Sequence, residues 1–215
     1  MKRFITIVVI LLILSAATFF LVKHTGDNTG GLPSSPRTGG TEKELLLVNA
    51  DHPLKEEDRP QNLVNLFEKK DRHFQLATAD IEVCDPVYKA MDAMFAAAEK
   101  DGVDGFIVSS GYRSFEKQAA IFADSEDGLA AKPGTSEHET GLAFDVTAYG
   151  DEDFELTPQF EWLSTHCAAY GFIIRYPKGK EDITGISFEP WHYRYVGTPY
   201  AKEIMDKGLT LEEYQ

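Results

Sequence analysis

The chain has 215 residues, enough for one well-buried core and too few for several large domains. Its content of 43% hydrophobic and 26% charged residues is that of a globular protein and excludes collagen-like, disordered and multi-span membrane chains. With 35 acidic against 21 basic side chains the net charge is −14, and no tight cationic cluster offsets it, so no nucleic-acid partner is expected.

From Phe4 to Val22 the sequence reads FITIVVILLILSAATFFLV, without a charge. A helix of that length rises about 30 Å, the thickness of a bilayer's hydrocarbon core. Phe19, Phe20, Leu21 and Val22 stand where a signal peptidase would need small residues, so the segment predicts an uncleaved anchor. Lys2 and Arg3 precede it, which by the positive-inside rule leaves the amino end in the cytoplasm. Thr25 to Thr41 is mostly Gly, Ser, Thr and Pro and buries too little apolar surface to order itself. The expected organisation is a cytoplasmic stub and single membrane span over 1–23, a flexible linker over 24–42, and one folded domain over 43–215 on the extracellular side of the cell membrane.

Within that domain, Glu44 to Asn49 (ELLLVN) is an apolar run that predicts a buried strand. Val83, Val87, Met91, Met94, Phe95 and Ala98 recur every three or four residues and predict an amphipathic helix closed by Gly102. Phe106 to Ser110 reads as a strand and Ser114 to Ala123 as a Ser-capped helix. Gly128 to Thr140 reads as a loop and Leu142 to Thr147 as another strand. Thr157 and Pro158 open a helix that Gly171 should end. Phe172 to Tyr176 and Phe188 to Val196 supply further strands, and Thr198 with Pro199 starts a last helix ending near Gly208. Helices and strands mix without regular alternation, so the expected class is α+β. The two cysteines, Cys84 and Cys167, allow one bridge in an exported chain; the alanines beside Cys167 favour separate buried thiols.

Chemistry concentrates in three segments. In SEHETGLAFD (Ser136 to Asp145), His138 and Asp145 flank a loop-to-strand junction; in EPWH (Glu189 to His192), Pro190 stiffens the chain between a carboxylate and an imidazole. His138, Asp145 and His192 would meet the usual count of three protein ligands for a hydrolytic zinc, leaving Glu189 as base for an attacking water. Each half alone is weak, since a lone His–Asp pair is more often structural and EPWH alone fits an aromatic strand. The third segment, SGYRSFEKQ (Ser110 to Gln118), presents Arg113 after a glycine turn, where a guanidinium can grip a carboxylate or an oxyanion; the bland reading is a surface ion pair.

Together with WLxxxxxxYGFIxRYP (Trp162 to Pro177) and EPWHYRYVG, these segments resemble the VanY-type zinc D-alanyl-D-alanine carboxypeptidases, relatives of the VanX dipeptidases. The resemblance runs in order from the LLLVN segment to the last helix. It implies a Hedgehog-like domain with a central antiparallel sheet flanked by helices, one Zn2+ per chain on His138, Asp145 and His192, and Glu189 as catalytic base. It further implies that Arg113 binds substrate or steadies the oxyanion and that Gln118 and Ser136 help hold the terminal carboxylate. The implied substrate is the peptidoglycan precursor stem peptide, losing its terminal D-alanine to water. An L,D-carboxypeptidase on tetrapeptide stems and a D,D-dipeptidase remain open alternatives, as does the choice between glycopeptide resistance and ordinary wall maturation.

Two rival readings are weighed against it. Ser114 and Lys117 spell SxxK, the nucleophile pattern of serine penicillin-binding proteins, but no SDN or KTG follows. A non-catalytic wall-binding module with a structural zinc would have no need of Glu189, which is present.

Overall fold

The computed structural model describes residues 45–125, 130–150 and 153–215. The expected span and linker lie outside the described residues, among which no helix is long and apolar enough to cross a membrane.

In chain order the elements are β1 (Leu63–Asn65), β2 (Gln75–Leu76), β3 (Glu82–Cys84), α1 (Asp85–Lys100), β4 (Phe106–Ser110), α2 (Phe115–Asp124), β5 (Ala143–Ala148), α3 (Pro158–His166), β6 (Phe172–Ile174), α4 (Glu181–Thr184), β7 (His192–Tyr195), α5 (Thr198–Lys207) and α6 (Leu211–Tyr214), with short 3-10 turns between them. Among the described residues, five strands form one sheet in the order β2-β4-β5-β7-β6, antiparallel except for β2 beside β4, and β1 pairs with β3 in a separate antiparallel ribbon. The class is α+β, as expected.

The three- and four-residue spacing in α1 buries Val87, Met91, Met94, Phe95 and Ala98 on one face. Phe95 meets Phe106 of β4 at 4.6 Å and Phe144 of β5 at 6.2 Å between ring centroids, so the helix is seated on the sheet by aromatic contacts. Each such fully buried side chain contributes about 1.5–3 kcal/mol of apolar burial. Because strand residues alternate, the face of β5 opposite Phe144 and Val146 carries Ala143, Asp145 and Thr147. The sheet thus spends one face on the core and offers the other to chemistry.

Four expectations differ, in whole or in part, from what forms. Leu45 to Val48 is not a strand: Leu45 and Val48 are buried, but the Leu46 carbonyl accepts from Arg194 Nη2 at 2.6 Å and the Leu45 carbonyl from Gln215 Nε2, so side chains satisfy this backbone in place of a ladder. Val83 belongs to β3, and α1 starts two residues later with Pro86 in its first turn. The strand expected over Phe188 to Val196 shortens to β7, because the His192 N–H donates to the Glu189 carbonyl and turns the chain first. The helix opened by Thr157 and Pro158 tightens into a 3-10 turn over Cys167–Tyr170 and stops at Gly171, φ +86°. Both cysteines are free thiols.

Candidate metal centre

Register brings the ligand candidates together. Asp145 on β5 stands directly across from His192 on β7, and on its other side it is paired with Ser110 past a bulge in β4. His138 comes from the 3-10 turn Glu137–Thr140, which Gly141 closes at φ +66°. No other residue fits there: a Cβ on Gly141 would lie 2.9 Å from Cys84 Sγ and 3.0 Å from Leu63 Cδ2. Gly111 is equally constrained, since a Cβ there would collide with the Glu82 carbonyl; its own carbonyl accepts from His138 Nδ1 at 2.7 Å. That bond turns His138 Nε2 inward.

The inward atoms converge. His138 Nε2 lies 3.3 Å from Asp145 Oδ2 and His192 Nδ1 lies 3.2 Å from Asp145 Oδ1. One ligand atom from each of the three residues falls within 4.8 Å of the others, close enough to share an ion. Both imidazoles are buried, and the buried Asp145 Oδ1 has no hydrogen-bond partner, an arrangement that a cation would complete. Two imidazoles and a carboxylate are the donor set of a catalytic zinc that keeps one position open. Glu189 Oε2 sits beside the cluster, 3.4 Å from His192 Nδ1.

The electrostatics favour positive charge here. Burial would raise the Asp145 carboxyl, but the two imidazoles hold it well below the usual carboxylate range. Burial lowers His138 against the pull of Asp145. On His192 burial is outweighed by the carboxylates of Asp145, Glu137 and Glu189, and the imidazole is pushed up to about 9. Glu189 is raised, mainly by burial, as suits a base that must take up a proton and release it.

Arg113 reaches the cluster's edge. Its Nη2 lies 3.3 Å from Asp145 Oδ2, its Nε and Nη2 donate to Ser110 Oγ at 3.2 and 3.0 Å, and its Nη1 to Gln118 Oε1 at 3.4 Å. Gln118 is buried and also donates to the Ala131 carbonyl at 2.8 Å, so it ties Arg113 to the following loop. Ser136 is buried at the head of the His138 turn, where its backbone N–H donates to Glu139 Oε2. A cleft of about 310 Å³ opens against Asp145, with Ser109, Thr147, Phe154 and the exposed Trp191 along it.

The SxxK pair does not form a nucleophile. Ser114 Oγ accepts the Lys117 backbone N–H as the cap of α2, while Lys117 Nζ is drawn away to Asp80 at 3.3 Å. Reading the sequence missed Glu137, Arg175 and Arg194, a buried charged cluster behind His192, and Ser110 behind Arg113. The available signal was alternation: in HYRY, Arg194 shares a strand face with His192.

Residues 80–198 match the VanY family of D-alanyl-D-alanine carboxypeptidases. The chain belongs to the VanY family. A D-alanyl-D-alanine carboxypeptidase of Enterococcus faecium is 33% identical over 195 residues, which cover 87% of this chain and 64% of that longer protein. The solved LdcB LD-carboxypeptidase is 36% identical with a TM-score of 0.70, covering 84% of this chain and 92% of its own. The vancomycin-resistance D,D-pentapeptidase VanY of a VanB-type cassette, solved as a mutant with Zn(II), is 36% identical with a TM-score of 0.65, covering 80% and 99%. This VanY domain therefore shares its fold with a zinc-containing relative over nearly the whole of that relative's chain.

Proposed function

We propose that this VanY-family chain is a zinc-dependent carboxypeptidase that removes the terminal D-alanine from peptidoglycan stem peptides. The observation that carries the reading is the convergence of His138, Asp145 and His192 with Glu189 at its edge. A zinc ion held by those three residues supplies Lewis acidity that polarises the scissile carbonyl and makes water acidic near neutral pH. Glu189 takes the proton from the attacking water and hands it to the departing amine. Arg113, braced by Ser110 and Gln118, faces the oxyanion or the substrate carboxylate. The anchor expected over 1–23 would hold the domain at the outer membrane face, where lipid-linked precursors carry that stem.

A second reading, L,D-carboxypeptidase, is favoured by one observation: the LD-carboxypeptidase structure overlays with the higher TM-score, 0.70 against 0.65. Incubation with defined pentapeptide and tetrapeptide stems, with and without zinc, separates the two. Zinc-dependent D-alanine release from the pentapeptide supports the first reading; release from the tetrapeptide alone supports the second. Release from neither, with zinc present, overturns both.

A further inference from the structure

Behind His192, away from the ion's side, Glu137, Arg175 and Arg194 are packed out of water and a partly buried Glu212 joins them. Glu137 Oε1 accepts from Arg175 Nε and from Arg194 Nη1, both at 2.7 Å. Arg175 also forks onto Glu212 of α6, its Nη1 and Nη2 donating at 2.8 and 2.6 Å. Two guanidiniums and two carboxylates balance, so the group carries no net charge.

The arrangement leaves one end of Glu137 unused. Its Oε2 is buried without a hydrogen-bond partner, and so is His192 Nε2; these two atoms face each other at 3.9 Å. An N–H···O bond settles near about 2.9 Å, so a shift of about 1 Å in the imidazole would close it. The backbone is arranged to allow that pairing. The Arg175 N–H donates to the His192 carbonyl, and Arg194 shares the His192 strand face, so the groups gripping Glu137 are built on the same framework as the ligand. The turn that presents His138 inward also presents Glu137, its neighbour, to His192.

We propose that Glu137 is a positioning residue: its free carboxylate oxygen holds the Nε2 proton of His192, which fixes the tautomer and offers Nδ1 to the metal. One turn, Glu137–Thr140, then sets both imidazoles, His138 directly and His192 through the carboxylate beside it. Arg175 and Arg194 keep that carboxylate ionised and aimed, and Glu212 ties the assembly to the carboxyl-terminal end of the chain. The inference rests on the zinc reading above.

The test uses the zinc-loaded full chain and two readouts other than activity. Nitrogen-resolved histidine NMR should show His192 ligating through Nδ1, with a slowly exchanging proton on Nε2. Glu137→Gln, whose amide can turn its NH2 toward His192 and favour the opposite tautomer, should weaken zinc binding by about 10- to 100-fold in chelator competition and abolish that proton signal. Zinc bound through His192 Nε2, or a rapidly exchanging Nε2 proton in the wild-type chain, would overturn the proposal even if the variant failed to fold. Unchanged affinity and spectrum in a folded variant would do the same. A wild-type chain that binds no zinc at all would instead remove the underlying reading, so the two failures are distinguishable.

Discussion

Glu189 lies beside the ligand cluster, half-buried, with its carboxyl raised by burial and its Oε2 3.4 Å from His192 Nδ1. Glu189→Gln keeps the shape and removes the proton acceptor, so D-alanine release should fall at least about 10²- to 10⁴-fold while metal analysis still finds zinc bound. Loss of zinc together with activity would make Glu189 a ligand rather than the base. Gly111 gives a second test at this scale: Gly111→Ala drives a Cβ into the Glu82 carbonyl and displaces the carbonyl that orients His138. Overpacking of that kind costs about 1–3 kcal/mol, so thermal unfolding should shift down and zinc occupancy with it. The candidate ligands His138, Asp145 and His192, with Glu189, could be singled out in the sequence only when the three segments were taken together with their resemblance to the VanY-type enzymes, since each half alone is weak; the structure brings one ligand atom from each of the three within 4.8 Å of the others. Ser110 and Glu137 were not singled out, since a serine at a strand end and a glutamate beside a histidine become informative only when register shows what they face.

At the scale of elements, the helix caps at Ser114 and Thr157 and the glycine stops at Gly171 and Gly208 formed as read, while the boundaries of several strands did not. The apolar stripe of α1 formed from Val87 onward, without the expected Val83, and α3 starts at the Thr157–Pro158 cap as the pattern placed it. The LLLVN run has the composition of a strand, yet its carbonyls are claimed by Arg194 and Gln215, residues about 150 and 170 positions away, which no local pattern announces. That contact also shows how α6 is coupled to the rest. Burial raises the Glu212 carboxyl, but the Arg175 fork and Asn49 outweigh it and lower the value below its ordinary 4.5. A carboxylate lowered in the folded state stabilises fully above the unfolded value and loses its effect as the pH falls through the folded one. Thermal unfolding of Glu212→Gln should therefore lie below wild type at neutral pH and converge with it in acid, well under pH 4.5. A constant difference at every pH would mean that packing, not charge, sets the contribution of α6.

For the whole molecule, the α+β class and the order of the motifs were visible before any coordinates, because each motif carries its own turn or cap. What needed three dimensions was the sheet order β2-β4-β5-β7-β6, which puts Asp145 opposite His192 and leaves the face away from α1 for the ligands. Since no serine nucleophile forms at Ser114, a chelator should abolish hydrolysis, with recovery on adding zinc, and a β-lactam should leave it unchanged. The most direct measurement is X-ray absorption at the zinc edge of the metal-loaded chain. The account predicts one tightly held ion per chain with two imidazoles and a carboxylate oxygen in its shell at about 2.0–2.2 Å. A shell with a sulfur ligand, with fewer than two imidazoles, or with no stoichiometric zinc would contradict it.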